Sequence, residues 1–127
     1  MHIFFDVDKT LIEPVARSLR PHAKEVIDKL RRDGHYVYLW SGRERPNCQD
    51  VILRYNLDVE GYFDKPEELT PEGMREANIY FRPEFCIDDE DEHLINEFGG
   101  YKIKPYTLTD EEDEELQKVY ERIPKAI

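Results

Sequence analysis

Cysteine is scarce: Cys48 and Cys86 are the two in the chain, in no CxxC pattern and at no cysteine-histidine ligand spacing. That argues against a zinc site and a disulfide framework, and sets the expectation of a reducing, cytoplasmic location. Positive charge is also short, with 18 basic against 29 acidic side chains and a net charge of -11. A general attraction to nucleic acid or to an anionic membrane is therefore disfavoured, while a local basic groove stays open. There is no long hydrophobic stretch, and Ile3-Phe4-Phe5 runs into Asp6 without a basic lead. The expectation is no signal peptide and no membrane span. Internal repeats and low-complexity linkers are lacking too. What is present is a polar chain, 39% hydrophobic and 37% charged, whose eight Tyr, six Phe and one Trp suffice for a small core. Its 127 residues fit one domain, residues 1–127, burying roughly two thirds of the unfolded surface.

Short apolar runs alternate with amphipathic stretches, which predicts strand-helix units around a mainly parallel sheet, an α/β three-layer Rossmann-like domain. Strands are expected at residues 3–7, 36–40, 61–63 and 85–87, with an edge strand over 101–106. Pro21 stands where a first-turn proline would, and Ala23, Val26, Ile27 and Leu30 come after it at helical spacing until Gly34. Val51, Ile52 and Tyr55 mark a second helix, Thr70-Pro71 opens a third, and Leu94, Ile95 and Phe98 form a fourth, stopped by Gly99-Gly100. Thr109 with Glu112 three places on, then acids through residue 115, predicts the solvated start of a final helix. Tyr80, Phe81 and Phe85 read as core.

The most informative pattern lies at the carboxyl ends of the strands. Asp6 and Asp8 end the first, Ser41-Gly42 the second, Asp88-Asp89 the strand at 85–87, and Lys65 comes just after the strand at 61–63. In an open parallel sheet the ligand crevice lies outside the carboxyl ends of the strands, so these groups converge although distant in sequence. Crowded carboxylates need protons or a cation, and an all-oxygen ligand set favours a hard ion such as magnesium. A divalent ion and Lys65 against four carboxylates leave one negative charge, which protonation of one acid removes. Metal and lysine together suit a phosphoryl group, with Ser41 and the amides near Gly42 donating hydrogen bonds. Taken alone, each piece has a plainer reading: a strand-end turn, a surface lysine, a helix cap.

Together, Asp6-Val7-Asp8-Lys9-Thr10-Leu11, Ser41-Gly42-Arg43, Lys65-Pro66 and Asp88-Asp89, in that order, resemble the haloacid dehalogenase superfamily of phosphohydrolases. The resemblance implies an aspartyl-phosphate on Asp6, with Asp8 as acid and then base, and Ser41 and Lys65 as holders of the phosphoryl oxygens. It implies magnesium held by Asp6, the Asp8 main-chain carbonyl and Asp88, with Asp89 completing the outer contacts; Glu90, Asp91 and Glu92 are alternatives to Asp89. Thr10 would fix the turn, and Thr10, Gly42 and Arg43 form the substrate-binding set. An acid at position 8 favours phosphoryl chemistry over carbon-halogen cleavage, because an alkoxide leaving group needs a proton and a halide does not.

Residues 9–20 suffice for a turn and a small flap, and residues 66–84 for a helix and connection, so no cap domain is expected and the crevice should be open. The reading is a magnesium-dependent phosphomonoester phosphatase whose phosphorylated substrate is a small molecule or a macromolecule. The alternatives are a nucleic-acid 3'-end phosphatase, suggested by Ser41-Gly42-Arg43-Glu44 but opposed by net charge, and a non-catalytic module that binds metal or phosphate. Arg17, Arg43 and Arg45 are candidate rim contacts.

Overall fold

Alternation along the strands builds a sheet buried on both faces. In the computed structural model, which describes residues 1–42 and 48–126, strands β1 (His2–Asp6), β2 (Tyr36–Ser41), β3 (Gly61–Asp64), β4 (Phe85–Asp88) and β5 (Gly100–Lys102) pair in the order β3-β2-β1-β4-β5. Every pairing is parallel. Ile3, Phe5, Val37, Leu39 and Ile87 point into one apolar cluster, and Phe4, Tyr38, Trp40 and Cys86 into another on the opposite face. Strands covered on both sides read as continuous apolar runs, as these do.

Helices fill the two outer layers: α1 (Ala23–Arg32), α2 (Cys48–Tyr55), α3 (Pro71–Glu76), α4 (Glu92–Phe98) and α5 (Glu115–Arg122). Val26, Ile27 and Leu30 of α1, Val51 of α2 and Leu116 and Val119 of α5 join the first cluster; Met74 of α3 and Leu94 and Phe98 of α4 join the second. Thr70 caps α3, its hydroxyl accepting from the Gly73 amide at 3.0 Å, and Asp91 caps α4 by accepting from the amides of His93 and Leu94. The α/β, Rossmann-like, parallel architecture is the one expected. Among the described residues no helix is long and apolar enough to cross a membrane.

Several boundaries differ from expectation. The strand over 101–106 runs only from Gly100 to Lys102, because Ile103 makes a last bond to the Asp88 carbonyl and the chain then turns so that the Tyr106 amide reaches the Lys9 carbonyl. Gly100 is required where it lies: its φ is 147°, and a Cβ there would stand 1.9 Å from the Cys86 carbonyl oxygen. Helix α1 begins at Ala23, after Pro21, with His22 at a positive φ of 71°. The last helix begins at Glu115, not behind Thr109. Thr109 bonds Ser18 across the surface, Asp110 caps its own turn through the Glu112 amide, and Asp113 turns inward to an arginine. Tyr80 is 73% exposed and not core, whereas Phe81 and Phe85 pack against the two clusters.

Candidate active site

The chain builds β1, β2 and β3 outward on one side, then returns to lay β4 and β5 on the other, so the switch in strand order falls between β1 and β4. Asp6 ends β1 and Asp88 ends β4 at that switch. They share Lys65: its ammonium is 2.9 Å from Asp6 Oδ1 and 2.7 Å from Asp88 Oδ2. Lys65 is carried there by β3, whose pairing with β2 continues as the Lys65 amide donates to the Ser41 carbonyl at 2.8 Å. The Thr10 hydroxyl, fully buried, donates to Asp6 Oδ2 at 3.1 Å and lies 3.4 Å from Asp89 Oδ1. Its contacts are with the carboxylates beneath the crevice. The other oxygen of Asp88 accepts from the amides of Glu90 and Asp91 at 2.9 and 3.0 Å, which fixes its orientation.

Asp6, Asp8, Ser41, Gly42, Lys65, Asp88 and Asp89 all line one crevice of about 500 Å³. Sequence reasoning anticipated these. Glu90 and Asp91, offered as alternatives to Asp89, line it too, as do Lys9 and His93, to which sequence reasoning assigned no role. Nor did it find the Cys48 thiol, which donates to Ser41 Oγ at 3.6 Å from the first turn of α2. Nothing in the spacing of positions 41 and 48 signals that contact. Arg43 and Arg45 lie outside the described residues, and Arg17 is paired with Asp50 at 2.8 Å. A larger hollow of about 860 Å³ lies near the start of β2, but its charges are mixed and Arg31 is bound to Asp58 and Glu60, so it offers no convergent set.

The loop after β1 is tightly wound. The Val7 carbonyl accepts from the amides of Thr10, Leu11 and Ile12, and bridges join Asp8 to Ile12 and Ile12 to Leu19, giving the small flap expected over residues 9–20. Arg20, 1% exposed, holds this loop from behind: it donates to the carbonyls of Thr10 at 3.2 Å and Lys104 at 2.8 Å, and pairs with both oxygens of Asp113. A lone arginine before a proline carries no sequence signal of such a role.

The electrostatics are those of a crevice short of positive charge. Burial pushes the Asp6 carboxyl up to about 8; Lys65 opposes this, and the Asp88 carboxylate adds to it. Asp89 is also raised by burial, with Asp88 contributing. Burial alone would lower Lys65, but Asp6 and Asp88 outweigh it and hold the ammonium above its ordinary range. Burial raises Cys48 to about 11, so it is a protonated donor. Carboxylate oxygens of Asp6, Asp88 and Asp89 lie within 4.8 Å of one another, a hard-donor set that fits a divalent cation of the magnesium type. The Asp8 carboxylate is not in that triad.

Comparison with known proteins agrees with this geometry. A family model described as haloacid dehalogenase-like hydrolase matches residues 3–64, which include Asp6 and the loop after β1, Ser41 and the end of β3. No curated protein matches the chain in sequence. Among solved structures, a chain in one titled "Structure of the Pnkp1/Rnl/Hen1 RNA repair complex" shares the fold, with a TM-score of 0.58 and 18% identity over 80% of this chain. This chain spans 42% of that one. With its parallel sheet and the carboxylates gathered at the switch point, the chain is similar to the haloacid dehalogenase-like hydrolases over residues 3–64.

Proposed function

We propose that the chain is a magnesium-dependent phosphomonoester phosphatase, one domain over residues 1–127 without a cap, that works through an aspartyl-phosphate on Asp6. The observation that carries the reading is the convergence of Asp6, Asp88, Asp89 and Lys65 around one crevice, an electrostatically incomplete site that metal and phosphoryl group complete together. Asp6 Oδ attacks phosphorus as the bond to the leaving oxygen breaks, and Asp8 gives that oxygen its proton. Water then attacks the phosphorus, passing a proton to Asp8, and the bond to Asp6 breaks to release phosphate. Lys65 and the Ser41 hydroxyl hold the phosphoryl oxygens. Asp6, the Asp8 main-chain carbonyl and Asp88 would hold magnesium, with Asp89 in outer contact; the ion supplies positive charge against the phosphoryl oxygens.

The test is turnover of a generic phosphomonoester with magnesium and with chelator, together with trapping of the phosphorylated protein. Asp6→Asn is expected to abolish the trapped species, and Asp8→Asn to slow turnover about 100- to 10,000-fold. Undiminished turnover in excess chelator, or a label mapping to a residue other than Asp6, would overturn the reading. A second reading, a nucleic-acid 3'-end phosphatase, draws support from Ser41-Gly42-Arg43-Glu44 and from the fold likeness to a chain of an RNA repair complex. The net charge of -11 opposes it.

A further inference from the structure

Lys9 stands between the two residues that do most in the loop, Asp8 and Thr10, and its φ is 65°. That is the left-handed region, where a Cβ is disfavoured and glycine is the usual occupant. The backbone is held there on both sides: the Lys9 amide donates to the Ile12 carbonyl at 2.8 Å, and the Lys9 carbonyl accepts from the Tyr106 amide at 2.7 Å. The buried Arg20 adds a third bond to that carbonyl at 3.4 Å. The framework therefore imposes a conformation that suits glycine, and the residue occupying it is a lysine that lines the crevice.

The charge around it is equally unusual. Six acids line the same crevice, yet among the described residues the Lys9 ammonium makes no ion pair and no hydrogen bond, whereas Lys65 is committed to Asp6 and Asp88. Lys65 sits at the floor, where the scissile phosphoryl group would be held. An uncommitted lysine among the residues that line the same crevice brings a compact point charge with three donors, suited to a second anion on the substrate.

We infer that Lys9 is a substrate-contact residue that binds a second phosphate, so that the substrate class is a phosphomonoester carrying another phosphate group. The inference rests on the phosphatase reading of the same crevice. Two sources supply that chemistry, a soluble bisphosphate and the 3'-phosphorylated end of a polynucleotide with its neighbouring phosphodiester.

The experiment measures binding by calorimetry in the Asp6→Asn background with magnesium, which keeps the ligands intact, and turnover in the protein with Asp6. The probes are a nucleoside 3'-monophosphate, a nucleoside 3',5'-bisphosphate and a dinucleotide with a 3'-phosphate. The parent is expected to bind at least one doubly charged probe about tenfold or more tightly than the monophosphate. Lys9→Gly should reduce that preference about tenfold, and Lys9→Arg should retain most of it. Glycine suits the left-handed backbone, so thermal melting of Lys9→Gly should show no loss of stability and folding does not confound the comparison. A preference on the dinucleotide assigns a polynucleotide end, and one confined to the bisphosphate assigns a soluble ester. No preference in the parent, or the same preference in Lys9→Gly, overturns the role of Lys9. Absence of turnover on every ester would overturn the phosphatase reading, and the ratio of binding constants would still decide Lys9.

Discussion

Asp6 shows how one residue couples site and stability. Burial raises its carboxyl from an ordinary value near 4 to about 8. A group whose folded pKa lies above its unfolded one contributes stability that is complete below the unfolded value and is lost as pH rises towards the folded one. In chelator, the melting temperature should therefore fall between about pH 5 and pH 8, and Asp6→Asn, which cannot ionise, should flatten that fall. At pH 8 the variant should be the more stable by about 1–3 kcal/mol, or roughly 4 °C for each kcal/mol at this size. Lys65 does not offset this trend, because its shift lies upward of an already high value and outside the window. Thermal melts of both proteins across that range check the account, and parallel curves for the two would contradict it.

At the scale of elements, the loop after β1 is tied to the segment between β5 and α5 by Arg20. Its guanidinium satisfies the carbonyls of Thr10 and Lys104 and forms a fork with Asp113, with the Tyr106 ring 5.1 Å away. Removing one member of a buried pair strands the other charge, at a cost of about 3–5 kcal/mol. Arg20→Ala and Asp113→Ala should each lower the urea midpoint accordingly, and the double variant should lose much less than the sum of the two. A strictly additive double variant in denaturant titrations would show that the pair is not coupled. The acidic run at residues 110–115 thus serves a structural purpose at Asp113 that helix-end electrostatics did not anticipate.

For the whole molecule, net charge and site charge have the same sign, and the acids of the crevice destabilise the fold unless a cation or proton joins them. A divalent ion that binds only the folded state stabilises it by about 2.7 kcal/mol at a hundred times its dissociation constant. Magnesium should therefore raise the melting temperature of the native protein by several degrees, chelator should reverse the rise, and Asp88→Asn should largely abolish it. Differential scanning across a magnesium series checks this. A melting temperature indifferent to divalent cations would remove the ion from the proposed function.

The strand runs, the helices from Ala23, Val51 and Leu94, and the order of Asp6, Ser41, Lys65 and Asp88 were legible in the sequence alone. Burial on both faces of a parallel sheet writes itself as short apolar runs, and strand-end chemistry comes directly after each run. What only the tertiary structure decided are contacts between segments far apart. Arg20 meets Asp113 across 93 positions, and the Tyr106 amide draws the chain away from β5 after Lys102. The last helix waits for Glu115 because its supposed caps bond elsewhere. The left-handed backbone of Lys9 arises in the same way. Periodicity and capping are local and can be read within a turn or two, whereas a buried guanidinium, a strained φ and the depth of a carboxylate depend on which distant backbone arrives beside them.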